Sequence, residues 1–159
     1  MRLSSLADYA VLLMRSAATH CGGARASAAS IAMETGIPVP TAQKLVSLLG
    51  RAGLLKSTRG SGGGIKLARP AAAISLADII EAVEGPIALT ACQEAGAHDC
   101  ALEGRCAAES HWSGVNALVR GTLEQVTLAS FIARPAPRHP ALMAQSVNPH
   151  AAAIEGALS

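Results

Sequence analysis

The fold is decided by the stretch SAASIAMETGIPVPTAQKLVSLLGRAGLLKSTRGSGGGIKLA, residues 27–68. Its first part predicts a short helix over residues 28–35, because Ser27 is a suitable N-cap and Gly36 can adopt the left-handed conformation that ends a helix. Pro38 then suits a turn before a second helix. Two short helices joined by a glycine-containing turn are typical of a helix-turn-helix, whose second helix enters the major groove of DNA.

The second helix of this pair has an apolar face and a polar face. Gly53 ends it, and its predicted buried positions are Ala42, Leu45, Leu49 and Ala52. Its opposite face carries Thr41, Gln43, Lys44, Ser47 and Arg51. We expect Thr41, Gln43 and Lys44 to face the major groove, because they occupy the exposed start of the recognition helix.

A β-hairpin is predicted directly after the recognition helix. Residues 54–58 and 65–68 have the pattern of two short strands, joined by the glycine-rich stretch RGSGGG at 59–64. Such a wing places Arg59 and Lys66 at the phosphates or in the minor groove. Glycine-rich loops that bind nucleotides run strand, loop, helix, so the second strand favours a wing over a nucleotide site.

The composition limits what else the chain can be. Its 159 residues are about one domain, and 34 of them are alanine, the strongest helix former. One Phe, one Tyr and one Trp are too few for an aromatic platform that stacks single-stranded nucleic acid. No apolar run approaches the roughly 18 residues that would span a bilayer, and the first residues do not form a signal peptide. We therefore expect a cytoplasmic protein with a thin helical core.

The charge is divided between two halves of the chain. Residues 1–70 hold nine Lys or Arg against Asp8 and Glu34, a net charge of +7. The remaining residues hold four Lys or Arg against nine Asp or Glu, a net charge of −5, which restores the total of +2. This asymmetry predicts a front half that binds a polyanion and a separate back half.

Three further helices follow from apolar periodicity. The first ends near His20, with the stripe Leu3, Leu6, Ala10, Leu13 and Ala17. Another begins at a capping box of Ser75 and Asp78 and is closed by Gly85, with the stripe Leu76, Ile79, Ile80 and Val83. The last is a long helix over 107–126, with the stripe Trp112, Val115, Val119, Leu123 and Val126. This stripe is either an ordinary core face or, as we favour, the seam of a homodimer.

Three of the four cysteines lie in a segment without periodicity. Cys92, Cys100 and Cys106 are spaced C-x(7)-C-x(5)-C, whereas Cys21 lies near the end of the first helix and is expected to be a small buried side chain. A reducing compartment and an odd count argue against disulfides. Structural zinc prefers closely spaced cysteine pairs, which are absent. The wide gaps favour an iron–sulfur cluster, with zinc and reactive thiols as alternatives.

The order of these features resembles the iron-sulfur-sensing winged-helix regulators typified by IscR and NsrR. The resemblance covers residues 1–131 and rests on Met1-Arg2-Leu3, Tyr9-Ala10, the 59–64 glycine stretch, the run IIEAVEG at 79–85 and the three cysteines. Residues 77–90 are most similar to the branch that regulates the SUF cluster-assembly operon. The resemblance implies a homodimer with one cluster per subunit, [2Fe-2S] or [4Fe-4S], whose occupancy changes operator affinity.

The fourth cluster ligand is left open by the resemblance. The histidine that IscR-like members have three residues after the third cysteine is replaced here by Glu109, and His111 lies two residues further on. In NsrR-like members an aspartate of the partner's first helix does this work, and Asp8 matches it. Asp8 also suits the N-terminus of a helix electrostatically, without any ligand role.

The sequence thus predicts a mainly α fold with a small β-wing. Its regions are a winged helix-turn-helix over 1–70, a cysteine loop with a long dimerisation helix over 71–131, and a flexible tail over 132–159. The predicted function is a DNA-binding transcription regulator of SUF genes whose operator affinity is set by an iron–sulfur cluster. A nitric-oxide- or redox-responsive repressor, and an iron–sulfur carrier that does not bind DNA, are the alternatives. The sequence offers no nucleophile paired with a general base to which a reaction could be assigned, so an enzyme is not predicted.

Overall fold

The computed structural model describes residues 3–20, 26–58, 64–93, 100 and 105–133. This part of the chain forms α1 Ser5–Thr19, α2 Ala28–Thr35, α3 Val39–Arg51, β1 Leu55–Thr58, β2 Gly64–Leu67, α4 Leu76–Glu84, α5 Glu109–Gln125 and α6 Leu128–Ile132. The predicted fold class, mainly α with a small β-wing, is confirmed. None of the described helices is both long enough and apolar enough to cross a membrane.

Helix α1 lies at the centre of the fold. It packs against α2, α3, α4, α6 and β2, and its residues Ala10, Leu13, Met14 and Ala17 are fully buried. The predicted stripe was wrong at its first position, because Leu3 is exposed. Ser4 is the N-cap of α1, so Leu3 precedes the helix and does not share its buried face.

The helix-turn-helix forms as predicted. Ser27 and Ser30 make a reciprocal capping box at the start of α2, and Gly36 ends α2 with a φ of 74°. Pro38 then occupies the N-cap of α3. The buried residues of the pair are Ile31, Ala32, Ala42, Leu45 and Leu49. Ala52, predicted to be buried, is exposed because α3 ends at Arg51 and Ala52 is its C-cap.

The wing is a two-stranded antiparallel hairpin fastened to the core. Leu55 pairs with Leu67 and Thr58 with Gly64, so the strands lie within one residue of their predicted ends. The backbone N–H of Ile65 donates to the carbonyl oxygen of Ala26 at 2.8 Å, which joins the second strand to the residue before α2. The predicted wing tip, with Arg59, lies outside the described residues, as does Cys21.

Backbone hydrogen bonds join the two ends of the stretch that contains α4 and α5. The backbone N–H of Leu76 donates to Val126 at 2.7 Å, and the N–H of Leu128 donates to Ile74 at 2.8 Å. Helix α6 follows, and its buried Leu128 joins the core around α1. The sequence did not predict α6, since five residues are too few to show a period. Of the predicted tail 132–159, only residues 132 and 133 are described.

Helix α4 begins at the capping box that the sequence predicts. The backbone N–H of Asp78 donates to Ser75 Oγ at 3.0 Å, and the N–H of Ser75 donates to Asp78 Oδ2 at 2.9 Å. Ser75→Ala removes the acceptor for the Asp78 amide. We expect it to lower the free energy of unfolding by about 1 kcal/mol, the typical cost of losing such a cap, in urea titrations.

Ser5→Ala is the matched control for this prediction. Ser5 is exposed in the first turn of α1, and its hydroxyl makes no hydrogen bond within the described part of the chain. We expect a change of less than about 0.5 kcal/mol, as for an ordinary surface position. Equal effects of the two substitutions would contradict the capping role of Ser75.

Candidate nucleic-acid interface and cysteine segment

The predicted recognition helix presents its polar face to solvent. Gln43 and Lys44 are exposed near the start of α3, and Ser47 and Arg51 are exposed further along it. Thr41 is half-buried. Because Ala42, Leu45 and Leu49 face the core, the intervening polar residues are held outward by the helical period. The helix therefore offers a row of hydrogen-bonding groups and cations along one face.

Two lysines of the wing stand directly opposite each other. Lys56 of β1 pairs with Lys66 of β2 in the antiparallel register, and both side chains are exposed. Like charges at directly opposed positions destabilise a sheet, so this pair weakens the hairpin unless an anion lies across it. Lys66 was predicted to contact DNA and Lys56 was not, because their pairing depends on the register of the strands.

Acidic side chains of the described residues do not neutralise these cations. Within the described residues, Lys44, Arg51, Lys56 and Lys66 take part in no ion pair. Arg69, by contrast, lies 3.7 Å from a carboxylate oxygen of Asp78. Uncompensated cations on a recognition helix and an adjacent wing match the negative charge of a DNA backbone.

A polar contact fixes α2 against α1 behind this surface. Ser16 of α1 is only 5% exposed, and its hydroxyl donates to Glu34 Oε2 of α2 at 2.9 Å. His20 lies beside the same carboxylate, with Nε2 at 3.5 Å from Glu34 Oε2 and Nδ1 at 2.8 Å from the carbonyl oxygen of Ser16. This contact was not predicted, since it joins residues 18 positions apart on two helices.

The three cysteines predicted as ligands are free thiols. Cys92, Cys100 and Cys106 are all partly exposed. Cys92 lies in the short 3-10 turn Ala91–Gln93, where its sulfur is 3.1 Å from Thr90 Oγ1 and 3.9 Å from Gln93 Nε2. Cys106 stands three residues before α5. Each thiol is accessible to a ligand or a reagent.

The candidates for a fourth ligand lie at two helix N-termini. Asp8 is exposed in the first turn of α1, whereas Glu109 is half-buried and His111 is exposed in the first turn of α5. In the part of the chain that the structure describes, no three His, Cys, Asp or Glu side chains are grouped so as to hold one metal ion. The structure therefore shows the thiol donors individually but does not bring three of them together with a fourth group.

Comparison with known proteins connects these features to one family. The model of the family Rrf2, described as an iron-dependent transcriptional regulator, matches residues 3–134. An HTH-type transcriptional regulator of Mycobacterium tuberculosis is 32% identical over 158 residues, which cover 99% of this chain and 97% of that protein. The HTH-type transcriptional regulator IscR of Yersinia pseudotuberculosis is 33% identical over 132 residues, 83% of this chain and 79% of that protein.

A solved structure shows the same architecture. CymR, described as the global cysteine regulator of B. subtilis, superimposes with a TM-score of 0.66 at 30% identity, covering 83% of this chain and 96% of that chain. The similar proteins are thus transcription regulators and not enzymes.

The lysine pair of the wing can be tested by its salt dependence. We expect Lys56→Gln with Lys66→Gln to weaken binding to a random-sequence 30-base-pair duplex. The slope of log affinity against log salt should fall by about 2, since each phosphate contact contributes about 0.9. Fluorescence anisotropy over a salt series measures both quantities.

Arg105→Gln removes one positive charge outside α3 and the wing, and it is the matched control for each single variant, Lys56→Gln or Lys66→Gln. Arg105 is exposed in the cysteine segment and belongs neither to α3 nor to the wing. We expect Arg105→Gln to leave the salt slope unchanged, because this cation lies outside the proposed DNA-binding surface. A salt slope that is unchanged in the double variant would place the DNA on another surface.

Proposed function

Because the chain belongs to the Rrf2 family of transcription regulators, we propose that it is a DNA-binding regulator whose operator affinity is set by an iron–sulfur cluster on Cys92, Cys100 and Cys106. The observation that carries this proposal is the position of three free, partly exposed thiols on the segment leading into α5. Membership of a regulator family also favours this function over that of an iron–sulfur carrier.

DNA recognition is assigned to the exposed face of α3 and to the wing. Gln43 and Lys44 are exposed at the start of the recognition helix, with Thr41 beside them. Glutamine can make a bidentate contact with adenine in the major groove, so Gln43 is proposed to read sequence. Lys56 and Lys66 are proposed to contact phosphates, together with Arg59 at the wing tip.

The donor set fits a cluster chemically. Thiolates are the usual protein ligands of iron–sulfur clusters, and three of them in one segment leave one position for another group. When bound, a cluster supplies a group that oxidation, nitric oxide or iron shortage can remove. Asp8 of a second copy is the proposed fourth ligand, because it is exposed on a different element from the cysteines. Glu109 and His111 are the alternatives within one chain.

Helix α5 is proposed as the dimer interface. None of its 17 residues is buried by the rest of the chain, and Trp112, Val115 and Leu118 are 41%, 42% and 73% exposed. Neighbouring apolar side chains on one exposed helix face suit a second copy of the same helix. Two copies would present two recognition helices to paired half-sites of an operator.

The target genes are proposed from the likeness of residues 77–90 to the SUF branch, which supports control of cluster-assembly genes. A regulator of this kind works in the cytoplasm, where bacterial DNA lies. In this proposal DNA is bound by residues 1–70, and the signal is sensed and the dimer formed by residues 71–131. Residues 132–159 are the tail.

A thiol-based repressor is the second candidate. The likeness to a protein described as a global cysteine regulator supports this candidate. Cys92 also has a hydroxyl 3.1 Å from its sulfur and is partly exposed, as a reactive thiol would be. Anaerobic purification followed by iron and acid-labile sulfide assays separates the two, because only the cluster contains both elements.

Each cysteine can be tested as a cluster ligand. We expect Cys92→Ala, Cys100→Ala or Cys106→Ala to abolish the visible absorption of the anaerobically purified protein, because a cluster that loses a thiolate ligand is not retained. Operator affinity should then become independent of oxygen. Cys21→Ala is the control and should keep the absorption. A protein with one zinc per chain and no sulfide would contradict the cluster and leave DNA binding intact.

The dimer helix can be tested by placing a charge on its exposed face. We expect Leu118→Glu to give a monomer in sedimentation velocity, because an unpaired carboxylate would be buried at the interface at a cost of several kcal/mol. Ala117→Glu, about 100° around α5 from Leu118 and farther from Val115, is the control and should stay dimeric. If Leu118→Glu sediments like the unchanged protein, α5 does not form the interface.

A further inference from the structure

The segment between α4 and Cys92 is held by side chains, and Asn116 of α5 makes two of these contacts. Its Nδ2 donates to the carbonyl oxygen of Ile87 at 2.9 Å, and its Oδ1 accepts from the backbone N–H of Leu89 at 3.0 Å. Both ends of one amide are therefore matched to the backbone of residues 87–89. This pairing resembles the contact of a neighbouring strand, supplied here by a single side chain.

A second side chain of α5 holds the same segment through α4. Arg120 donates from Nε to Glu81 Oε1 at 2.9 Å and from Nη2 to Glu81 Oε2 at 3.2 Å. Glu81 Oε1 also accepts from the backbone N–H of Ile87 at 3.4 Å. The hydrogen bond and charge of Glu81, with the charge of Glu124, raise the pKa of Arg120 above its ordinary value. Arg120 therefore stays charged throughout the neutral range.

These contacts provide hydrogen-bond partners for the backbone of a segment that has no regular secondary structure. The N–H and carbonyl of Ile87 and the N–H of Leu89 all find partners in the side chains of Glu81 and Asn116. Buried polar groups that lose their partners are costly. If residues 87–89 move, either α5 follows or these groups are left unpaired. The buried side chain of Ile87 adds to this by packing with Ala7 and Ile80.

The segment held in this way ends at the first cysteine. Thr90 directly follows Leu89, and its hydroxyl is 3.1 Å from the sulfur of Cys92. The turn that carries Cys92 also packs against α5. A short path of contacts thus leads from the Cys92 sulfur through Thr90 and Leu89 to Asn116 in the middle of α5.

From this path we infer that Asn116 is a positioning residue that fastens the cysteine segment to α5, so that a change at Cys92 moves the helix. The transmission to DNA rests on the proposed function, whereas the fastening itself does not. Asn116 is suited to this role because one planar amide offers both a donor and an acceptor. Arg120 reinforces it by holding Glu81 against Ile87.

Amide hydrogen exchange of the full-length protein without a cluster tests the fastening. We expect Asn116→Ala to speed exchange of the Leu89 amide by about tenfold, because its acceptor is lost. Asn116→Asp keeps the acceptor and should leave Leu89 protected to within about threefold. Ser113→Ala is the control on α5, since its hydroxyl bonds only to Glu109 within the helix, and it should not change Leu89. Equal exchange at Leu89 in Asn116→Ala and the unchanged protein would overturn the inference.

Iodoacetamide labelling of Cys92 gives a second measurement on the same variants. We expect Asn116→Ala to label Cys92 faster than the unchanged protein, with Cys106 labelled at the same rate in both. Faster labelling of both cysteines would indicate a general loss of structure and would also count against the inference. Circular dichroism of each variant establishes that the helices are retained.

The transmission is measured on a duplex selected from a random library. The ratio of affinities with and without a reconstituted cluster should be large for the unchanged protein and should approach one for Asn116→Ala, at the same iron and sulfide content. A full ratio in Asn116→Ala overturns the transmission. A ratio of one in the unchanged protein contradicts the proposed function instead, and the exchange experiment still decides the fastening.

Discussion

The whole structure depends on the close contact of α1 with five other elements. A helix can approach so many neighbours only if its side chains are small or well fitted, and α1 supplies Ala7, Ala10 and Ala17 at buried positions. The chain has three aromatic residues, and Tyr9 of α1 is the one that packs against the core around this helix. The small side chains of Ala7, Ala10 and Ala17 leave little spare volume, so an added methylene at one of these buried positions would cost about 1–3 kcal/mol through overpacking.

Local features of the fold were predictable because their physical causes are local. Helix caps at Ser27 and Ser75, the left-handed glycine at position 36 and the apolar periods of α3 and α4 each act within a few residues. The errors fell at element ends and at short elements. Leu3 continues the apolar spacing of α1 but precedes its N-cap, and α6 is shorter than two turns. Periodicity does not resolve either case.

The candidate site also contains residues that local patterns predict and contacts that they do not. Exposed polar positions on α3 followed from the buried ones, but the opposition of Lys56 and Lys66 needs the strand register, and the contacts of Asn116 with Ile87 and Leu89 join residues far apart in sequence. A stripe drawn on α5 named Val119 and omitted Leu118. Val119 is half-buried and Leu118 is exposed, because the elements packed against α5 decide which side of its apolar face is covered.

The hydrogen bonds that join Ile74–Leu76 to Val126–Leu128 affect which parts of the sequence can change in length during evolution. The polypeptide between these hydrogen bonds begins and ends at adjacent positions, and its first helix, α4, packs against α1 and α3. The entropy of closing a loop rises only slowly with its length. Changes in the number or spacing of residues between Cys92 and α5 would therefore leave α4, and with it the recognition helix, in place. One DNA-binding fold can in this way acquire different sensing segments when a single contiguous stretch of its gene is replaced.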